Sequence, residues 1–143
     1  MKYLLDTCTL SEYVKKKPNP KVIDWLDNQD EDQLFVTIIT IAELRKGISK
    51  LKISNPNRYQ KLNNWLIILE KRFTDRILPL DKNILEIWAI TCGESEAKGK
   101  KLPIIDSLIA STAIYHQLTI VTRNVDDFKL CFPEICIFNP WLK

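Results

Sequence analysis

Apolar residues along this chain follow two rhythms. One is the short, mainly apolar run: Tyr3 to Leu5, Leu34 to Ile38, Ile77 to Leu80 and Leu118 to Val121, with Ile135 to Phe138 as a fifth. Such runs read as strands, and fully apolar ones belong to parallel sheets covered on both faces. They predict strands at 2–6, 34–38, 76–80, 118–122 and 135–138. The other rhythm is the stripe at helical spacing: Val22, Ile23, Trp25 and Leu26; Leu62, Trp65, Leu66 and Leu69; Ile84, Ile87, Trp88 and Thr91-Cys92. These predict helices at about 20–28, about 58–73 and from Asp81 onward. Asn19 and Asp81 are well placed as N-caps, with Pro20 at a first helical position. Further helices are expected from Thr40 to about Leu51 and from Ile104 to about His116. A helical turn is expected at 11–16, and a turn or short helix at 124–128. Trp25, Trp65 and Trp88 lie on the stripes and read as core. Trp141 is left as a residue for a dimer edge.

Strands that alternate with helices imply an α/β fold with a mainly parallel sheet of about five strands. The 143 residues fit one domain spanning 1–143. The three glycines form neither G-x-G-x-x-G nor a P-loop, which disfavours dinucleotide and P-loop chemistry.

Charge changes this picture only through its distribution. The net charge of +3 is modest. Residues 41–61, however, carry six basic side chains against the single acid Glu43, while residues 24–32 carry five acids and no Lys or Arg. The basic segment suits phosphates, although a solvated helix face would look the same. Cys8, Cys92, Cys131 and Cys136 form no C-x-x-C pair, and the single His116 has no zinc spacing to them. No apolar run approaches the roughly 20 residues of a membrane span, and nothing at the start reads as a signal peptide. A cytoplasmic protein with reduced thiols is the expectation.

The acids fall in a telling place. In open parallel sheets, ligands bind beyond the carboxyl ends of the strands. Asp6 ends the first strand with no turn residue before it. Glu43 lies early in the helix after the second strand, Asp106 lies in the first turn of the last long helix, and Asp126 and Asp127 follow the fourth strand. Each has a structural reading. Thr40-x-x-Glu43 matches a capping box, Asp106 complements a helix dipole, and Asp126 and Asp127 suit a turn. Together, three or four carboxylates cannot all stay ionised without a cation. Mg²⁺ or Mn²⁺ is the natural partner of such hard oxygen ligands.

These segments resemble a known family. Leu4-Leu5-Asp6-Thr7, Thr40-Ile41-Ala42-Glu43-Leu44-Arg45-Lys46-Gly47, Leu102-Pro103-Ile104-Ile105-Asp106-Ser107-Leu108-Ile109-Ala110, Thr119 to Phe128 and Phe138-Asn139-Pro140-Trp141 look like the PIN-domain ribonucleases. The branch they look most like is the VapC toxins of bacterial toxin–antitoxin pairs, in their FitB-like group. The resemblance runs nearly end to end. It implies a three-layer α/β/α fold, Mg²⁺- or Mn²⁺-dependent endoribonuclease activity, a homodimer and a cognate antitoxin that blocks the site. Carried over by motif, Asp6, Glu43, Asp106 and Asp127 are the catalytic, metal-binding acids. Asp126 ranks below Asp127. Thr7, Thr122 and Asn124 are supporting polar residues. Many relatives read Asp-Thr-Asn where this chain has Asp6-Thr7-Cys8, so the amide at position 8 is lost.

The expected reaction is hydrolysis of RNA phosphodiester bonds by a metal-activated water, leaving 5′-phosphate and 3′-hydroxyl ends. Arg45, Lys46, Lys50 and Arg123 would steer the phosphate backbone. Within the same class, the alternative is an RNA-processing PIN nuclease without an antitoxin. A phosphotransfer domain using Asp6 covalently would need a second acid where Cys8 stands. A non-catalytic binding module would not need four intact acids.

Overall fold

The computed structural model describes residues 1–142. Its centre is one parallel sheet of five strands: β1 (Tyr3–Leu5), β2 (Leu34–Thr37), β3 (Ile77–Leu78), β4 (Thr119–Val121) and β5 (Ile137–Phe138). Their order is β3-β2-β1-β4-β5. Tyr3 pairs with Leu34 on one side and Thr119 on the other, and Leu5 pairs with Val121. The helices are α1 (Thr7–Ser11), α2 (Pro20–Asp27), α3 (Ile38–Ser49), α4 (Leu51–Ser54), α5 (Pro56–Arg72), α6 (Lys82–Ala97), α7 (Ile104–His116) and α8 (Val125–Cys131).

Side chains alternate across a strand, so Leu4 and Leu5 serve opposite faces. Leu5 joins Leu10, Val22, Leu26, Val36, Leu44, Leu66 and Val121 in the core under α1, α2, α3 and α5. Leu4 joins Ile109, Ala110, Ala113, Ile120 and Phe128 in the core under α7 and α8. The sheet is thus covered on both faces, which is why its strands are short and uniformly apolar. A three-layer order follows from that burial: helices, sheet, helices.

The strand order sets the site. From β1 the chain steps outward through β2 to β3, then returns to the other side of β1 for β4 and β5. The boundary between β1 and β4 is therefore the switch point of the sheet, and a crevice opens there beyond the strand ends. Asp6 and Thr122 are the residues immediately after those two strands.

Local chemistry accounts for most element ends. Asn19 accepts from the Lys21 amide, and Asp81 from the Ile84 amide, as N-caps. Every strand is shorter than expected, α4 stands where a break was expected, and three helix starts differ from the sequence expectation. A helix begins directly at Thr7 because Asp6 leaves the strand and caps it; the turn expected at 11–16 is instead the end of α1 and a 3₁₀ turn at Glu12–Val14. The third helix starts at Ile38 rather than Thr40, since the Thr37 hydroxyl accepts from the Thr40 amide 2.9 Å away. Asn55 caps α5 and Pro56 takes its first position, two residues ahead of the expected start.

Glu12 is a feature that apolar periodicity does not reveal. Its side chain is 2% exposed. Oε1 accepts from the Asn19 amide at 2.8 Å, and Oε2 faces Lys15 Nζ at 2.9 Å, an ion pair made by charge rather than by good hydrogen-bond angle. Burial pulls its pKa upward, but the Lys15 ammonium, the Asn19 amide and the charge of Arg123 outweigh that and hold it below the usual value. Glu12 thereby ties the end of α1 to the cap of α2. Glu12→Ala is expected to cost about 2 kcal/mol, roughly 8 °C in Tm, by thermal denaturation at neutral pH.

Candidate active site

Asp6 is 4% exposed at the tip of the central strand. It stays there because its carboxylate is fully engaged. Oδ1 accepts from the Thr7 amide at 2.8 Å. Oδ2 accepts from the Thr122 hydroxyl at 2.8 Å and from the Cys8 thiol at 3.4 Å. Burial raises the Asp6 pKa, and these three donors work against the rise. Thr122 Oγ1 also accepts from the Asn124 amide at 2.9 Å, which fixes the loop after β4 against the tip of β1.

Glu43 reaches the same edge from α3. The Thr7 hydroxyl donates to its Oε1 at 2.7 Å. The capping-box reading of Thr40 and Glu43 is therefore wrong: Thr37 supplies the cap, and Glu43 points to Thr7 instead. Thr7 serves both acids, holding Asp6 through its amide and Glu43 through its hydroxyl. Asp106 sits in the first turn of α7, and its pKa is pushed up to about 6 by burial and then by the charges of Asp6, Asp127 and Glu43. That repulsion places all four carboxylates in one field. Asp126 has no part in it, which separates it from Asp127 in the same helical turn.

Among the described residues, none of Asp6, Glu43, Asp106 and Asp127 forms a salt bridge with a basic side chain. The donor set is all carboxylate oxygen, and it lacks a protein cation. These properties fit a divalent ion with oxygen ligands. Also among the described residues, no three His, Cys, Asp or Glu side chains converge into a ready-made cage.

Two clefts flank the acids. One, of about 370 Å³, is lined by Ile39, Ala42, Glu43, Lys46, Lys50 and Ile105. The other, of about 530 Å³, is lined by Arg123, Asn124, Asp126, Asp127, Asn139 and Leu142. Lys46 and Lys50 thus stand on the Glu43 face of α3. Arg45 does not: it donates to Asn63 Oδ1 and Glu70 Oε2, both at 3.2 Å, on α5. The guanidinium carbon of Arg123 lies 5.1 Å from the ring centre of Trp141. Trp141 accordingly packs inside its own chain, beneath Arg123 and against the core. Trp25 packs between Tyr3 and Phe138, and half-buried Trp65 packs against the same core; Trp88, expected in the core, is half-buried and belongs to neither core cluster, its indole N–H instead meeting Ser107.

Asp6 stands at the switch point of a parallel sheet, with Glu43, Asp106 and Asp127 on the helices around it, and the chain matches the PIN domain model over residues 3–131. The chain belongs to the PIN-domain family. It is 34% identical to Toxin FitB of Neisseria gonorrhoeae over 140 residues, covering 96% of this chain and 97% of that one. It is 30% identical to VapC ribonuclease Y4jK of Sinorhizobium fredii over 138 residues, covering 96% of each. The crystal structure of FitAcB from Neisseria gonorrhoeae superposes with a TM-score of 0.87 at 34% identity, covering 97% of this chain and 98% of that one. The PIN-like three-layer fold expected from the motifs is therefore the fold observed.

Sequence reasoning missed Glu12, the bond from Thr7 to Glu43, and the ties from Trp88 to Ser107. The Thr7 and Glu12 contacts join residues that no periodicity connects. Ser107 is 1% exposed and a buried hydroxyl needs a partner, but that burial is a feature of the fold and not visible in the sequence.

Proposed function

We propose that this PIN-domain protein is a divalent-metal-dependent endoribonuclease and the toxin of a toxin–antitoxin pair. The observation that carries the nuclease reading is the set of four carboxylates without a counter-cation around the switch point, in a chain 30% identical to a VapC ribonuclease. The likeness to a FitB toxin supports the toxin role. Asp6, Glu43, Asp106 and Asp127 would hold Mg²⁺, or Mn²⁺ in its place. A bound ion supplies an activated water and neutralises charge on the scissile phosphate.

The chain's own residues do the positioning. Thr7 and Thr122 lock Asp6, so one ligand is fixed before any ion arrives. Thr7 aims Glu43 at the same point. Asp106 and Asp127 enter from helix first turns on the α7 and α8 side. Asn124 fixes the loop through its amide, and its exposed side chain faces the Arg123 cleft. RNA would cross from the Lys46 and Lys50 cleft over the acids to the Arg123 cleft, its phosphates attracted at both ends. Arg45, engaged by Glu70, contributes only to the wider field.

A toxin requires a neutralising partner, so a cognate antitoxin would cover this edge, in the cytoplasm where RNA and reduced thiols occur. The four cysteines are unpaired, and among the described residues no helix is long and apolar enough to cross a membrane. A homodimer is supported by apolar side chains left exposed on α6 and α7, including Ile90 at 56% and Ile104 at 58%.

The test is cleavage of single-stranded RNA by purified protein with Mn²⁺, with Mg²⁺ and with excess chelator, followed by end analysis. Cuts that leave 5′-phosphates and vanish with chelator are expected. Equal cleavage in chelator would refute the metal reading. Lys46→Glu with Lys50→Glu is expected to raise KM about tenfold at low salt with kcat nearly unchanged, because both charges act on binding. Arg45→Glu is expected to change KM far less.

A further inference from the structure

Asp106, like Asp127, has no side-chain hydrogen bond among the described residues, unlike Asp6 and Glu43. The turn that carries it is also poorly anchored. Its N-cap position is Pro103, which has no side-chain cap, so the first amides of α7 lack the usual acceptor. Pro103, Ile104 and Ile105 are all exposed. Other contacts hold this turn in place.

Trp88 does so from the neighbouring helix. α6 packs along α7 more extensively than any other pair of elements meets. From it, the Trp88 indole N–H donates to Ser107 Oγ at 2.9 Å. Ser107 Oγ in turn donates to the Ile104 carbonyl at 2.8 Å, and the Ser107 amide to the Pro103 carbonyl at 2.9 Å. The chain of bonds runs from a half-buried indole, through a hydroxyl 1% exposed, to the carbonyls that open the helix. Asp106 lies inside the loop that these bonds close. Indole donors seek a partner when buried; here the partner is the residue adjacent to a metal-site acid.

We infer that Trp88 is a positioning residue for the metal site: through Ser107 its indole N–H clamps the first turn of α7 and so presents the Asp106 carboxylate to the ion. The inference rests on the metal reading above. It assigns a catalytic consequence to a tryptophan that touches neither the acids' oxygens nor the substrate clefts.

The experiment uses Trp88→Phe, which keeps an aromatic ring and removes the donor, together with Ser107→Ala and the double variant. Mn²⁺ affinity is measured by calorimetry, with Tm of the metal-free protein alongside. Trp88→Phe is expected to weaken Mn²⁺ binding about fivefold, with RNA cleavage restored at saturating Mn²⁺. Ser107→Ala is expected to weaken it similarly, and the double variant no further than the worse single one, because both act through one chain of bonds. A reduced Tm with unchanged Mn²⁺ affinity would make Trp88 a packing residue and overturn the inference. Independent, multiplying losses in the double variant would also overturn it. Wild-type protein that binds no Mn²⁺ would instead overturn the metal reading, and this inference with it.

Discussion

RNA cleavage by the Asp6→Asn variant is expected to fall by more than about 100-fold, with the fold intact. Losing a residue that merely orients a metal ligand already costs about 10- to 100-fold, and Asp6 is proposed as a ligand itself. The replacement is nearly isosteric. The amide oxygen can still accept from the Thr7 amide, and the Thr122 hydroxyl can turn to accept from the new NH₂ group. Removing a buried charge also relieves its desolvation, so the variant is expected to melt at or above the wild-type temperature. Initial cleavage rates on single-stranded RNA and thermal denaturation measure the two halves. In cells, induced wild type is expected to arrest growth and Asp6→Asn to permit it. A variant that cuts at the wild-type rate would remove Asp6 from the chemistry.

Asp106→Asn is expected to invert its effect on stability when metal is added. The Asp106 pKa is about 6 in the folded protein, against the ordinary 3.8, because burial and then Asp6, Asp127 and Glu43 disfavour its charge. A pKa raised by folding contributes stability that is fully present below the unfolded value and is lost as pH rises through the folded one. Metal-free wild type at pH 7.5 thus carries a repulsion that the amide lacks. Asp106 is only half-buried, so solvent screens much of it. The variant is expected to melt about 3 °C higher at pH 7.5, with the gap closing towards pH 4. With Mn²⁺ at about 100 times the wild-type dissociation constant, wild type is expected to gain about 2.7 kcal/mol, roughly 10 °C, and a variant that binds about tenfold more weakly or worse no more than about half of that. Wild-type Mn²⁺ affinity is likewise expected to fall as pH drops through about 6, where Asp106 takes up a proton. Equal metal responses in the two proteins would exclude Asp106 from the site.

Much of the fold was legible because burial on both faces leaves a plain signature. Leu4-Leu5 and Ile120-Val121 had to be strand interiors, and Asn19 and Asp81 had side chains suited to their caps. The acids were legible through position, since Asp6, Glu43, Asp106 and Asp127 each follow a predicted strand or open a predicted helix. What stayed hidden depends on contacts between distant residues. Thr37 and Thr40 are equally good caps on paper, and only the turn out of β2 selects Thr37. That selection frees Glu43 to meet Thr7. Arg45 and Lys46 are neighbours in a basic run, but helical geometry sends Arg45 to Glu70 and Lys46 to the cleft. Cys8, whose identity the motif does not explain, places its thiol against Asp6 and 3.5 Å from Thr122. It therefore occupies the seam between β1 and β4, where a small polarisable group fits.

Asp6, Glu43, Asp106 and Asp127 are proposed to bind a divalent cation together. Calorimetric titration of Mn²⁺ into metal-free wild type at pH 7.5, beside Asp6→Asn and Asp106→Asn, tests it most directly. Saturable binding to wild type, weakened at least about tenfold in each variant, is the expected result. No saturable binding to wild type, or affinities unchanged by both substitutions, would contradict it.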